Sequence, residues 1–142
     1  MRNFYFNVPH WDTILHLFSG LGLGALGFSI VNLLNKSDKN YFSLSPGFVA
    51  LFAFCFAVSI GVIWEIYEFI MDYILNTNMQ KYALESGESL IGKAALFDTM
   101  KDFIVNVIGV IIISVIGYIS LRYKKGWLDR FHIMQKQANI YN

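Results

Sequence analysis

The sequence predicts an all-α integral membrane bundle of three transmembrane helices, and its charge content, its apolar runs and their lengths predict it. Only 15% of the 142 residues are charged and 56% are apolar, whereas soluble domains carry about 25% charged residues. The apolar residues are also bunched. Gly47 to Ile63 and Phe103 to Leu121 contain no charge, and Thr13 to Leu34 is broken only by His16 and scattered Ser and Asn. Such lengths suit a bilayer core, which takes roughly 20 helical residues. None of the runs shows the polar stripe of a soluble amphipathic helix. Lipid offers no hydrogen bonds to a bare backbone, so each run is expected to be helical.

The elements follow in order. Met1 to Asp12 is a short aromatic and polar lead-in, with Tyr5, Phe6 and Trp11 suited to a membrane interface. The first helix is expected over about 13–34. Its apolar stretch is too long for a cleaved signal peptide, and Asp12 stands in its flank, so it should remain in the mature protein. Asn35 to Ser45 is a polar loop. Pro46 opens the second helix, a favoured position for proline, and this helix continues to about Leu75. Being longer than a bilayer demands, it should tilt or project. Asn76 to Phe97 is the longest connection, with room for a short interfacial helix. The third helix begins near Asp98, with its span over about 100–121. The tail, 122–142, is basic and partly amphipathic, with Trp127, Leu128 and Phe131 among Arg and Lys. The whole is one membrane domain.

Lys and Arg set the expected orientation. The first loop and the tail share one side and carry Lys36, Lys39, Arg122, Lys124, Lys125, Arg130 and Lys136. The opposite side carries Arg2, Lys81, Lys93 and Lys101. This excess places the tail in the cytoplasm and the N-terminus outside. A net charge of +1 gives no reason to expect a nucleic-acid partner. The single Cys55 cannot build a disulfide framework and reads as a small packing residue.

The polar side chains converge. His16 lies at the outer end of the first helix, Glu65, Glu68 and Asp72 in the outer half of the second, and Asp98, Asp102 and Asn106 at the outer start of the third. Within each helix they share a face: Asp12 and His16 are i, i+4; Glu65, Glu68 and Asp72 are i, i+3, i+7; Asp98, Asp102 and Asn106 are i, i+4, i+8. Gly20, Gly24 and Gly27 continue the His16 face, Gly109 and Gly117 lie beyond Asn106, and Gly61 is one turn below Glu65. Small residues there allow close helix approach. An ionisable group inside a span costs about 2.5–3.5 kcal/mol on insertion scales. Carboxylates gathered closely must bind a metal, share protons or meet a cationic substrate. An oxygen-rich set with one imidazole favours Mg²⁺, Mn²⁺ or Zn²⁺, with His16, Glu65 and Asp102 as the ligands.

Taken singly, the acids have ordinary readings. Asp98 reads as a helix cap, Asp102 as complementing the helix dipole, and Asp72 as a solvated residue near a helix end. His16 alone reads as an interfacial residue, and Glu85 and Glu88 as loop residues. None of these readings explains the convergence.

The residues W-D-x-x-L-H at Trp11 to His16, W-E-x-x-E-F at Trp64 to Phe69 and D-T-M-x-D-x-x-x-N-x-x-G at Asp98 to Gly109 resemble the YjdF-type bacterial inner-membrane proteins, which are similar to the VanZ-like superfamily. The likeness covers about Trp11 to Gly117. It maps the VanZ-like Asp and His onto Asp12 and His16, the Glu onto Glu65, and the last motif onto Asp102, Asn106 and Gly109. Two features depart: Glu68 stands where those proteins usually have Gln, and no Arg precedes the Asp of the last helix. Without that Arg, a metal or proton role gains over anion binding. The longer YjdF-type proteins carry helices upstream of the W-D-x-x-L-H segment, so the resemblance leads one to expect a short form or a fragment here. VanZ itself is associated with low-level teicoplanin resistance, so the resemblance implies a bacterial cytoplasmic membrane and an envelope role.

Three functions follow as expectations. In the first, Glu65, Asp102 and His16 form the core of an outer-leaflet site acting on lipid-linked or headgroup material, as divalent-metal ligands or as general acid and base. Glu68, Asp98, Asn106 and Asp12 assist in binding, and membrane lipids are the partners. The second is a proton or cation pathway, which three helices could enclose only as a homo-oligomer. The third is a structural or regulatory membrane subunit without catalysis.

Overall fold

The computed structural model of the chain describes residues 11–37, 44–84 and 86–123. Expectations for Tyr5, Phe6, Lys39, Glu85 and the tail from Lys124, with Trp127, Leu128 and Phe131, lie outside these residues.

Three helices account for most of the described residues: α1 (Trp11–Ser37), α2 (Pro46–Leu75) and α3 (Lys93–Arg122). All three are long and apolar enough to cross a membrane. The second helix starts where its proline predicts. The Ser45 hydroxyl accepts a hydrogen bond from the Phe48 N–H at 3.2 Å, and Pro46 stands in the first turn, where a missing N–H costs nothing. The helix ends at Asn76 in the left-handed conformation, φ 51°, which Asn tolerates better than most residues. At 30 residues it is about 45 Å long, half as long again as a bilayer core is thick.

The third helix corrects the expectation. It begins at Lys93 rather than near Asp98, with Gly92 at its N-cap and no side-chain cap bond. Asp98 therefore lies in the second turn and caps nothing. The connection is correspondingly shorter, 76–92, and contains no helix among its described residues. It folds back through one antiparallel bridge between Ala83 and Ser89. The Asn78 side chain closes this fold by donating to the Ala83 carbonyl at 2.7 Å and accepting from the Ala83 N–H at 3.1 Å.

Each helix packs on both others, and the interior combines an apolar cluster of Phe28, Val31, Val49 and Ala53 with small and polar side chains. Ala53, Ala57 and Val110 are fully buried and Asp102 and Asn106 nearly so, while Phe18, Leu33, Ile63, Phe69, Ile104 and Val115 face outward. That is the reverse of a soluble bundle and suits lipid as the surrounding solvent. Glycines set the helix spacing. A Cβ on Gly27 would lie 2.8 Å from the Ala53 Cα, and one on Gly61 would lie 2.8 Å from Asn106 Oδ1. Gly20 of α1 meets the Asn106 backbone of α3, and Gly109 of α3 meets the Leu17 carbonyl of α1. Backbones this close leave the acids beside these glycines facing each other.

Candidate functional site

An up-down-up bundle brings the start of α1, the end of α2 and the start of α3 to one end, and there the polar residues meet. His16 is buried and stands at the centre. Its Nδ1 faces Glu65 Oε1 at 3.9 Å, and its Nε2 faces Asp12 Oδ1 at 3.6 Å and Asp102 Oδ2 at 3.8 Å. Glu65 and Asp102 are only 5% and 2% exposed. Glu65 Oε2 is buried and has no hydrogen-bond partner. Atoms of Asp12, His16 and Asp102 lie within 4.8 Å of one another. Glu65 thus approaches the imidazole from the other nitrogen and stands apart from this trio.

Of the remaining expected residues, Glu68 is buried and accepts from the Trp64 indole N–H at 2.9 Å. The tryptophan is therefore a partner of Glu68. Asn106 is buried beside Gly61. Asp98 belongs to an ion-pair cluster at the rim. It accepts from Lys81 Nζ at 3.1 Å and from Lys101 Nζ at 2.8 Å.

Asp72 differs from its expected solvated state. It is 7% exposed, and three donors of the following loop converge on it: the Thr77 hydroxyl at 2.6 Å and the Met79 N–H at 2.7 Å on Oδ1, and the Gln80 N–H at 3.0 Å on Oδ2. The helix stops at Leu75 and the chain turns back over its own end, so donors that lack secondary-structure partners find the carboxylate. This anchor delivers Lys81, in the left-handed region at φ 49°, to Asp12 and Asp98. Partial burial works against the Lys81 charge, but the Asp12 and Asp98 carboxylates outweigh it and hold the ammonium above its ordinary range. Lys81 and Lys101 were not among the residues expected at the site. The i, i+3 spacing of Asp98 and Lys101 could have shown one of them; nothing local could have shown the other.

A cavity of about 680 Å³ opens from this cluster. Asp12, His16, Glu65 and Asp102 line its polar end, and Leu23, Leu26, Ile60 and Phe103 line its apolar wall. Its size is within the range of small-molecule sites. It offers an environment for a molecule with a charged head and an apolar body.

Three spanning helices, apolar outside and acidic at one end within, define a helical membrane protein. The chain belongs to the DUF2238 family of predicted membrane proteins, whose profile matches residues 1–123. An uncharacterized protein of Thermotoga maritima is 34% identical over 129 residues, which is 90% of this chain and 58% of that protein. The chain thus spans little more than half the length of this relative. No solved structure matches it.

Proposed function

We propose that the protein is a bacterial cytoplasmic-membrane protein with an envelope role, whose cavity takes the headgroup of a lipid or lipid-linked molecule at the outer leaflet. The observation that carries this reading is the cavity itself, with His16 and three carboxylates at one end and aliphatic and aromatic wall at the other. The apolar wall suits the body of a lipid beside its headgroup, and a purely structural cluster needs no cavity. In this reading Glu65, Asp102 and His16 form the core of the site, as metal ligands or as general acid and base, and Asn106 and Glu68 help to bind the head. The resemblance of the three motifs to YjdF-type and VanZ-like proteins supports the same assignment, as does the excess of Lys and Arg opposite the acidic end. Within the described spans every acidic residue lies in the half nearest this end, which weighs against a continuous ion pathway.

A deletion strain complemented with wild type or with Glu65→Gln tests the reading under glycopeptide stress. The variant is expected to reach the membrane at the wild-type level and to restore no survival. Equal rescue by Glu65→Gln would remove the carboxylate from the function. In parallel, native mass spectrometry of detergent-purified protein should show bound headgroup lipid that is lost when Leu23→Trp fills the cavity wall.

A further inference from the structure

His16 sits at distances from Asp12 and Asp102 that no hydrogen bond explains. Its Nε2 is 3.6 Å from Asp12 Oδ1 and 3.8 Å from Asp102 Oδ2, whereas an N–H···O bond holds its heavy atoms about 2.9 Å apart. Ligand atoms about 2.1 Å from a tetrahedral ion stand about 3.4 Å from one another, so these separations are close to those a metal ion imposes. We infer that Asp12, His16 and Asp102 bind one divalent transition-metal ion, with Zn²⁺ the best fit, and that His16 coordinates through Nε2.

The surroundings of each ligand fit this assignment. Metal-bound histidines usually turn their second nitrogen toward a carboxylate or carbonyl, and Glu65 Oε1 faces His16 Nδ1 at 3.9 Å. Of the oxygens that the ion leaves free, Asp12 Oδ2 accepts from Lys81, and Asp102 Oδ1, which has no hydrogen-bond partner, faces the Lys101 ammonium at 3.4 Å. The ligand oxygens, Asp12 Oδ1 and Asp102 Oδ2, are thereby turned toward the imidazole. Charge points to the same ion. Glu68 and Asp72 have N–H donors of their own, which leaves Asp12, Glu65, Asp98 and Asp102 around His16, neutral as a metal ligand is, with Lys81 and Lys101 as the cations beside them. Two negative charges remain in a largely buried cluster, the deficit that a divalent cation fills. Glu65 Oε2, buried and without a hydrogen-bond partner in the same cavity, marks a place where a polar group is still missing, and water or a headgroup on the ion would supply it. All three ligands line the cavity, so the ion keeps a coordination position open to whatever enters, as catalytic zinc sites do. The metal site stands whether or not that molecule is a lipid.

The full chain, purified in detergent and stripped with a chelator, is titrated with Co²⁺ and with Zn²⁺. One equivalent is expected to bind, with the visible absorption bands of a low-coordinate Co²⁺ that Zn²⁺ then bleaches. Asp12→Asn, His16→Asn and Asp102→Asn should each lose the bands and the stoichiometry. Glu65→Gln should keep one equivalent at saturation and bind about 10–100-fold more weakly, as loss of a partner to a ligating histidine does. Each variant is checked for a monodisperse profile and wild-type tryptophan fluorescence; one that fails is replaced by His16→Cys, which keeps a ligand and should shift the bands rather than lose them. Absence of Co²⁺ bands in the wild type would overturn the proposal. So would binding that survives His16→Asn, or binding that is lost in Glu65→Gln and kept in Asp12→Asn. Lipid retention measured on the same samples separates this outcome from the fate of the headgroup reading.

Discussion

Asp72 and His16 show how differently a buried polar residue can be used. Asp72 is saturated with three donors from the loop it anchors, so its role is to fix the path of the chain. Asp72→Ala leaves two half-buried backbone N–H groups without their acceptor and is expected to cost about 1–2 kcal/mol. That cost is read as a lower unfolding midpoint in mild detergent, and Asp72→Asn, which keeps one acceptor, should lose less. An unchanged midpoint in Asp72→Ala would show that the loop is held by other contacts. His16, by contrast, has carboxylates on both ring nitrogens at distances of 3.6–3.9 Å, a geometry left open for something between them. Lys81 belongs with Asp72 in construction and with His16 in consequence, because it ties the loop to Asp12. Lys81→Met should free the loop, and limited proteolysis should then cut within 76–92 faster than in the wild type.

At the scale of elements, the glycines decide how close the helices come. The Gly27 position faces backbone, since its added Cβ would lie 2.8 Å from the Ala53 Cα, and backbone cannot swing aside. Gly27→Val is therefore expected to separate α1 from α2 and lower the unfolding midpoint strongly. Gly47 has nothing within 4 Å of an added Cβ. Gly47→Ala is expected to be neutral or to stabilise by about 0.5–1 kcal/mol, through the smaller backbone entropy lost in a helix. Equal effects from the two changes would mean that glycine acts here through flexibility and not through approach. The length of α2 belongs to this scale too. At 30 residues it exceeds the thickness of a bilayer core, which tilt or projection at an end accommodates.

For the whole molecule the open issue is which way it faces. The excess of Lys and Arg opposite the acidic end supports the proposal that this end faces outside, and a cysteine scan can read this directly. In a Cys55→Ser background, a cysteine at Ser89 in the loop is expected to react with a membrane-impermeant maleimide on intact cells. Labelling only after permeabilisation would invert the bundle and move the site to the cytoplasmic leaflet. Two of the lysines counted for that side, Lys81 and Lys101, are paired with carboxylates of the cluster. Their pairing leaves the orientation resting more heavily on the loop and tail of the other side.

By itself, the sequence determined the three spans and the end of the bundle at which the acids collect. Both follow from one-dimensional information: long uncharged runs must be helical in lipid, and short connections make neighbouring helices antiparallel. Helical spacing was enough to put Asp12 with His16, Glu65 with Glu68, and Asp98 with Asp102 and Asn106 on shared faces. Small residues at helical intervals were enough to show which faces would meet. Only the tertiary structure decided which acids touch which donor. The start of α3 at Lys93 removed Asp98 from a capping role, and the turn after Leu75 brought loop N–H groups to Asp72 and Lys81 to Asp12. The rotation of α1 against its neighbours then set Glu65 on one nitrogen of His16 and Asp12 with Asp102 on the other. Such partners lie as far apart in sequence as His16 and Asp102, and their meeting depends on helix rotation and loop path. Backbone packing through Gly20, Gly27, Gly61 and Gly109 sets these, and hydropathy along the chain does not encode them.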